Sequence, residues 1–160
     1  MSNIKPLDRI DYQNVRLLRN NARLSNKELA QKVGLAPSTC LVRTRLLQQS
    51  GVITGFKAEV NALALGVGVQ AMIAVRLKRH YKPDVEAFRQ HALELPEVVR
   101  LYHVAGPIDF LAHVWAKDPE HLRDLAMTAF TAREEVSHIE TELIFEHSSC
   151  QDLPSFLDEE

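Results

Sequence analysis

The sequence predicts an α+β fold in two domains: three short helices over residues 1–60, then a βαββαβ unit with an antiparallel sheet over 67–160. Three observations carry this. Apolar residues recur at helical spacing as far as Ser50 and switch to strict alternation from Val67. Turn signals at Gly34, Gly51 and Gly106-Pro107 fall between the periodic segments. The charge also divides: residues 1–60 hold ten Lys/Arg against four Asp/Glu, and residues 61–160 hold nine against seventeen, so a chain of net charge −2 is a basic unit fused to an acidic one.

Leu7, Ile10, Leu17 and Leu18, with Val15 and Ala22 at the edge, fall on one half of a helical wheel, so a first helix starts near Asp8. Ser25-Asn26-Lys27-Glu28 reads as a capping box and opens a second helix with Leu29, Ala30 and Val33 inward. Gly34 stops it by taking a positive φ, and Ala36-Pro37-Ser38-Thr39 starts a third helix that runs to about Ser50. The wheel of the third helix points Cys40, Leu41, Thr44 and Leu47 toward the first two. Ser38, Thr39, Val42, Arg43 and Leu46 are expected to project outward.

Two short helices on a glycine turn form a helix-turn-helix, whose second helix enters the major groove of double-stranded DNA. In that geometry Arg43 pairs with guanine, Thr39 reaches a base or a phosphate, and Val42 and Leu46 pack on thymine methyls. Arg45, Arg23, Lys27 and Lys32 are expected to hold phosphates, which position the protein without specifying sequence. The alternative is a purely structural or assembly module with a solvated basic face. The excess of six positive charges in this segment favours DNA, because neutralising phosphates requires that charge here.

Val52–Val60 reads as an extended segment leaving the helix-turn-helix, pairing near Phe56 and Lys57, and leads to a hinge over residues 61–66, so 52–66 links the domains. Val67 to Leu77 alternate as a half-buried strand. Pro83 and Asp84 open a helix with Val85, Phe88, Ala92 and Leu95 at helical spacing, closed by Pro96. Val98–Ala105 and Asp109–Ala116 read as a hairpin around Gly106-Pro107-Ile108. Pro119 begins a second helix, with Leu122, Leu125, Ala126, Ala129 and Phe130 inward, and Val136–His147 is the last strand. The order is that of a ferredoxin-like split βαβ, whose helices cover one face of the sheet. The other face is expected to carry Met72, Leu101 or Tyr102, Trp115 and Ile144, and an apolar second face calls for a second copy of the chain.

The runs Leu7-Asp8-Arg9-Ile10-Asp11, Asn21 to Asn26, Glu28-Leu29-Ala30, Val33 to Cys40 and Ser50-Gly51-Val52-Ile53 resemble the Lrp/AsnC family of feast/famine regulators, with spacing kept throughout. The resemblance implies a winged helix-turn-helix, a small-molecule regulatory domain, control of amino-acid metabolism genes, and homodimers that assemble to octamers. Gly106-Pro107-Ile108-Asp109-Phe110 matches the family's G-x-x-D-[YF] signature, which lines an amino-acid effector pocket between neighbouring dimers. Asp109 would pair with an α-ammonium while turn amides receive the α-carboxylate. The alternative is an Asp that caps a hairpin turn. Tyr102, His103 and Val104 before the turn, with Thr141, Glu142, Leu143 and Ile144, occupy the positions of the family's other pocket residues. The family commonly has arginine where this chain has Val42 and Leu46, and a hydrophobic or aromatic residue in place of Glu142.

Cys40 and Cys150 are too far apart in sequence to suggest a disulfide framework or CxxC site. The polar start and the lack of a long apolar run lead us to expect a cytoplasmic protein with no membrane span. The seven histidines show no ligand spacing, although His103 and His113 fall on adjacent expected strands. No phosphate loop, nucleophile elbow or triad appears, so the sequence reads as a non-enzyme without a metal or other cofactor, its ligand being an amino-acid effector.

Overall fold

Capping chemistry sets the limits of the first three helices. Asp8 accepts the Asp11 N–H at 2.8 Å and opens α1 (Arg9–Asn20). The capping box forms at the start of α2 (Asn26–Val33): the Glu28 N–H donates to Ser25 Oγ at 3.3 Å, and the Ser25 N–H donates back to Glu28 Oε2 at 2.8 Å. Gly34 at φ 70° turns the chain so that the Leu35 N–H reaches the Ala30 carbonyl at 2.9 Å. Pro37 begins α3 (Pro37–Gln49), and Asn26 Nδ2 donates to its carbonyl at 2.7 Å, which ties the start of α2 to the start of α3.

These bonds belong to a computed structural model that describes residues 7–150 and Pro154. The residues before Leu7, including the polar start, lie outside it, as does most of the chain after Cys150. The chain separates into a first unit that reaches Glu59 and a second unit, Val60–His147; Ser148–Cys150 fall outside the second.

Leu18, Leu29, Ala30, Val33 and Cys40 form the core of the first unit, with Ile10, Leu17, Leu24, Leu35 and Ile53 against it. Asn14 is fully buried among them, and Cys40 Sγ lies 3.9 Å from its Oδ1. Leu41, expected inside, is exposed. The expected pairing near Phe56 and Lys57 does not form: residues 52–60 hold no strand. A lone extended segment with no neighbouring strand has no ladder to join.

The second unit runs β1 (Val69–Leu77), α4 (Lys82–Glu94), β2 (Val98–His103), β3 (Phe110–Ala116), α5 (Pro119–Leu125, continued by a π-helical turn over Ala126–Thr131) and β4 (Val136–Leu143). All pairings are antiparallel, in the order β2-β3-β1-β4. β4 stops at Leu143 rather than His147 because its partner starts at Val69; the last bond runs from the Ile144 N–H to the Gln70 carbonyl. Ala71, Ile73, Val75 and Leu77 of β1 join Phe110, Ala112, Val114 and Ala116 of β3 on one face, under Phe88 and Ala92 of α4 and Leu122, Leu125 and Phe130. The Phe88 ring lies 4.9 Å from that of Phe110 and 6.1 Å from that of Phe130. Burying this face supplies most of the unit's stabilisation, at about 25 cal/mol per Å² of apolar surface. Gly68 is set by a close approach rather than by a turn: a Cβ there would stand 2.2 Å from the Lys117 carbonyl oxygen.

The register resolves the second face. Tyr102, not Leu101, lies there with Leu111, Trp115, Met72 and Ala74; Leu101 packs with the helix-covered core. Gln70 Oε1 accepts from Trp115 Nε1 at 3.1 Å and lies 3.2 Å from His113 Nε2. Among the described residues no helix is long and apolar enough to cross a membrane.

Candidate DNA and ligand interfaces

α3 buries Cys40 and Leu47 and leaves the opposite side bare. Val42 is 54% exposed and Leu46 56%, and Ser38, Thr39 and Arg45 are exposed as well. Two large aliphatic side chains left in water on one helix face are a surface for apolar contact, and thymine methyls in a major groove provide one. Arg23 lies in the turn between α1 and α2, and Lys27 and Lys32 are exposed on α2.

Arg43 departs from the expected outward set. Its Nη1 lies 2.6 Å from Asp8 Oδ2 and 2.8 Å from Asp11 Oδ1, so it closes α3 onto the start of α1. Asp11 and Asp8 raise the Arg43 pKa. Desolvation works against the charge of Asp8, but the Asp11 N–H and Arg43 outweigh it and hold that carboxyl below its usual range. The wheel held the signal: three residues after buried Cys40, a side chain sits only roughly 60° from the inward direction. Arg45, expected to hold a phosphate, is the arginine on the outward face, and among the described residues it joins no ion pair.

In the second unit, Asp109 is buried with both carboxylate oxygens engaged. Oδ2 accepts the Leu77 N–H at 2.8 Å, and Oδ1 lies 2.6 Å from His80 Nδ1. Its own backbone pairs on both sides, N–H to the Val75 carbonyl and carbonyl to the Val104 N–H. Here Asp109 pins the hairpin turn to the end of β1, the contact that the capping alternative expects. Gly106, at φ 139°, and Pro107 remain exposed.

The remaining ligand candidates do not converge within one chain. Tyr102 faces the open side of the sheet, while His103 stacks on Phe110 at 4.7 Å on the other. Thr141 to Ile144 alternate likewise: Glu142 pairs with Met72 on the open face, and Thr141 and Leu143 lie opposite Ile73 and Ala71 on the covered one. Consecutive strand residues point to opposite faces, so a run of four cannot line one wall. The 104–109 turn sits where β1 ends at Leu77, and 141–144 lies where β1 begins, on the far edge. The two groups occupy diagonal corners of the sheet.

His103 and His113 point to opposite faces and do not meet. Desolvation, then the Arg100 and His147 charges, lowers the His113 pKa. Burial raises that of the Cys40 thiol. Among the described residues no cluster of three His, Cys, Asp or Glu side chains is placed to hold a metal.

A basic helix-turn-helix joined to this sheet has close relatives. Residues 7–54 match the model of a winged helix-turn-helix DNA-binding domain, and residues 70–152 match that of the Lrp/AsnC ligand binding domain. The chain belongs to the Lrp/AsnC family. It is 41% identical over 143 residues to the HTH-type transcriptional regulator AldR of Mycolicibacterium smegmatis, covering 89% of this chain and 84% of that protein. Over 147 residues it is 35% identical to the leucine-responsive regulatory protein of Rhizobium meliloti, covering 91% and 94%. A crystal structure of a Neisseria meningitidis transcriptional regulator in complex with L-methionine superposes with a TM-score of 0.85 at 26% identity, covering 92% of this chain and 96% of that one. Like these relatives, the chain is an Lrp/AsnC-type transcriptional regulator with a DNA-binding and a ligand-binding domain.

Proposed function

We propose that this Lrp/AsnC regulator binds operator DNA in the cytoplasm through α3 and controls amino-acid metabolism genes in response to an amino acid. The outward face of α3 carries the reading: Val42 and Leu46 left in water between Ser38, Thr39 and Arg45. In this assignment Val42 and Leu46 take thymine methyls, Arg45 takes a guanine, and Ser38 and Thr39 reach bases or phosphates at the helix start. Arg23, Lys27 and Lys32 hold the backbone, and Arg43 keeps α3 aligned on α1. Titration of labelled operator and scrambled duplex at several salt concentrations tests this. Equal affinity for both would remove the reading.

The effector is held between two copies: the Val104–Asp109 turn of one, with Gly106 and Ile108 at its tip, meets Thr141–Ile144 of another, joined by Tyr102 and His103. The diagonal placement of these groups favours a shared site, and the Neisseria relative's complex with L-methionine supports an amino acid as the ligand class. The open faces of two sheets pack together in the dimer, and dimers associate further to an octamer. A thermal-shift screen of the twenty amino acids tests the ligand class, since a ligand specific to the native state raises the melting temperature.

A further inference from the structure

The two sheet corners that the proposed effector site joins differ in charge. At the turn corner, Lys78, Arg79, His80 and Lys82 crowd the exposed loop between β1 and α4, and His80 ties that loop to Asp109. Arg79 is paired with Asp84, while Lys78 and Lys82 join no ion pair among the described residues. This corner therefore holds both signs, cations beside the buried Asp109 carboxylate. The β4 corner holds one. Glu140, Glu142 and Glu146 are exposed there, and after Arg133 the chain has no Lys or Arg, only His138 and His147. His138 lies 3.4 Å from Glu140, and Arg76 stands opposite His138. That pair is four residues along the strands from Met72 and Glu142, roughly 14 Å. His113 and Arg100 share the row of Met72 and Glu142 but lie roughly 10 and 14 Å from Glu142 across it. Among the described residues Glu142 joins no ion pair.

We propose that the effector is a dibasic amino acid, held by its α-ammonium and α-carboxylate at the turn corner of one copy and by its side-chain cation on Glu142 of the partner subunit. The inference rests on the shared site of the proposed function and adds the class of its ligand. The head of an amino acid carries both charges on one carbon, so it needs a corner of both signs. Its side chain then extends to the other wall. There a carboxylate enclosed between two copies requires a cation, because a desolvated charge without a partner is strongly unfavourable. A lysine or arginine side chain supplies that cation. Phe145, just past the end of β4 and 98% exposed, offers the same cation an aromatic face. An apolar side chain satisfies neither group and leaves Glu142 desolvated and unpaired, so the wall selects against leucine-like ligands as well as for basic ones.

Calorimetric titration of the full chain with L-lysine, L-arginine, L-norleucine and L-methionine tests the class, since norleucine has the carbon chain of lysine without its terminal amine. Lysine or arginine should bind at least about tenfold more tightly than norleucine or methionine, the scale of one hydrogen bond to a charged group. Glu142→Gln, isosteric and on the surface of a single copy, should erase that preference. Norleucine or methionine binding as tightly as the dibasic pair overturns the class and leaves the site standing. A preference that survives in Glu142→Gln overturns Glu142 as its source, and equal weakening of all four ligands there assigns Glu142 to the α-ammonium and overturns the side-chain contact. Binding of none of the four overturns the proposal outright. The melting screen of the twenty amino acids then separates a site for another amino acid from failure of the effector reading itself.

Discussion

Replacing Arg45 with alanine separates the two roles an arginine can play on α3. Arg45 is exposed on the same face as Val42 and Leu46, and among the described residues it joins no ion pair, whereas Arg43 is committed to Asp8 and Asp11. A side chain bidentate to guanine contributes about 1–3 kcal/mol of discrimination, and the proposed dimer would present two copies, so Arg45→Ala should cost about 2–6 kcal/mol on operator. That is roughly 30-fold to more than 10⁴-fold in affinity. Scrambled duplex should lose far less. Anisotropy titrations of both duplexes across salt concentrations make the measurement. If affinity falls equally on both and the salt slope drops by about one per arginine, Arg45 is a phosphate contact and the assignment to a base is wrong. Arg43→Ala is the control: it should leave the operator-to-scrambled ratio near wild type and lower stability by about 1 kcal/mol, the scale of two partly exposed ion pairs.

Gly68→Ala forces a methyl to within 2.2 Å of the Lys117 carbonyl oxygen. It should destabilise the second unit by about 1–3 kcal/mol, a melting shift of several degrees by calorimetry, and an unchanged melting temperature would show that the loop yields freely. Asp109→Ala leaves the buried Leu77 N–H without its acceptor and should cost about 1–3 kcal/mol in urea unfolding, whereas Asp109→Asn keeps an acceptor and should cost less; equal stability of all three proteins would strip Asp109 of its pinning role. His113 has a folded pKa below its unfolded value of about 6.5. The unfolded chain therefore takes up the proton first, so this contribution to stability is intact above about pH 6.5 and declines as pH falls toward the depressed folded value. Unfolding free energies measured from pH 7.5 to 5 should decline less steeply in His113→Gln, and parallel curves would contradict the assignment.

The fold was legible wherever local chemistry and pattern agree. Ser25 and Glu28 box the start of α2, Gly34 takes its positive φ, and the alternation in β1 places Ala71, Ile73, Val75 and Leu77 on the buried face. What escaped depends on partners remote in sequence. Nothing near Asn14 signals that a polar side chain fills the core beside Cys40. Arg43 was misplaced because its partners lie more than thirty residues away, and the wheel alone gives an angle without saying what stands there. Tyr102 could not be told from Leu101 on the open face until the register was known, because a bulge between Val98 and Arg100 shifts the parity of β2. The likeness to the family placed the ligand candidates in sequence but not in space: only strand order reveals that the turn at 104–109 and the run 141–144 sit at diagonal corners.

That diagonal has a thermodynamic consequence for the proposed effector site. A ligand held by the turn of one copy and the far corner of another has its full set of contacts only in the assembled form. By linkage it must then strengthen assembly as much as assembly strengthens its binding. At a hundredfold excess over its dissociation constant, each occupied site stabilises the assembled form by about 2.7 kcal/mol, near a hundredfold in the association constant. The number of α3 helices one particle offers to DNA rises with that equilibrium. A binding event at the proposed site would thus alter operator occupancy without any change inside the helix-turn-helix, whose core of Leu18, Leu29, Ala30, Val33 and Cys40 and whose Arg43 clamp all lie in the first unit.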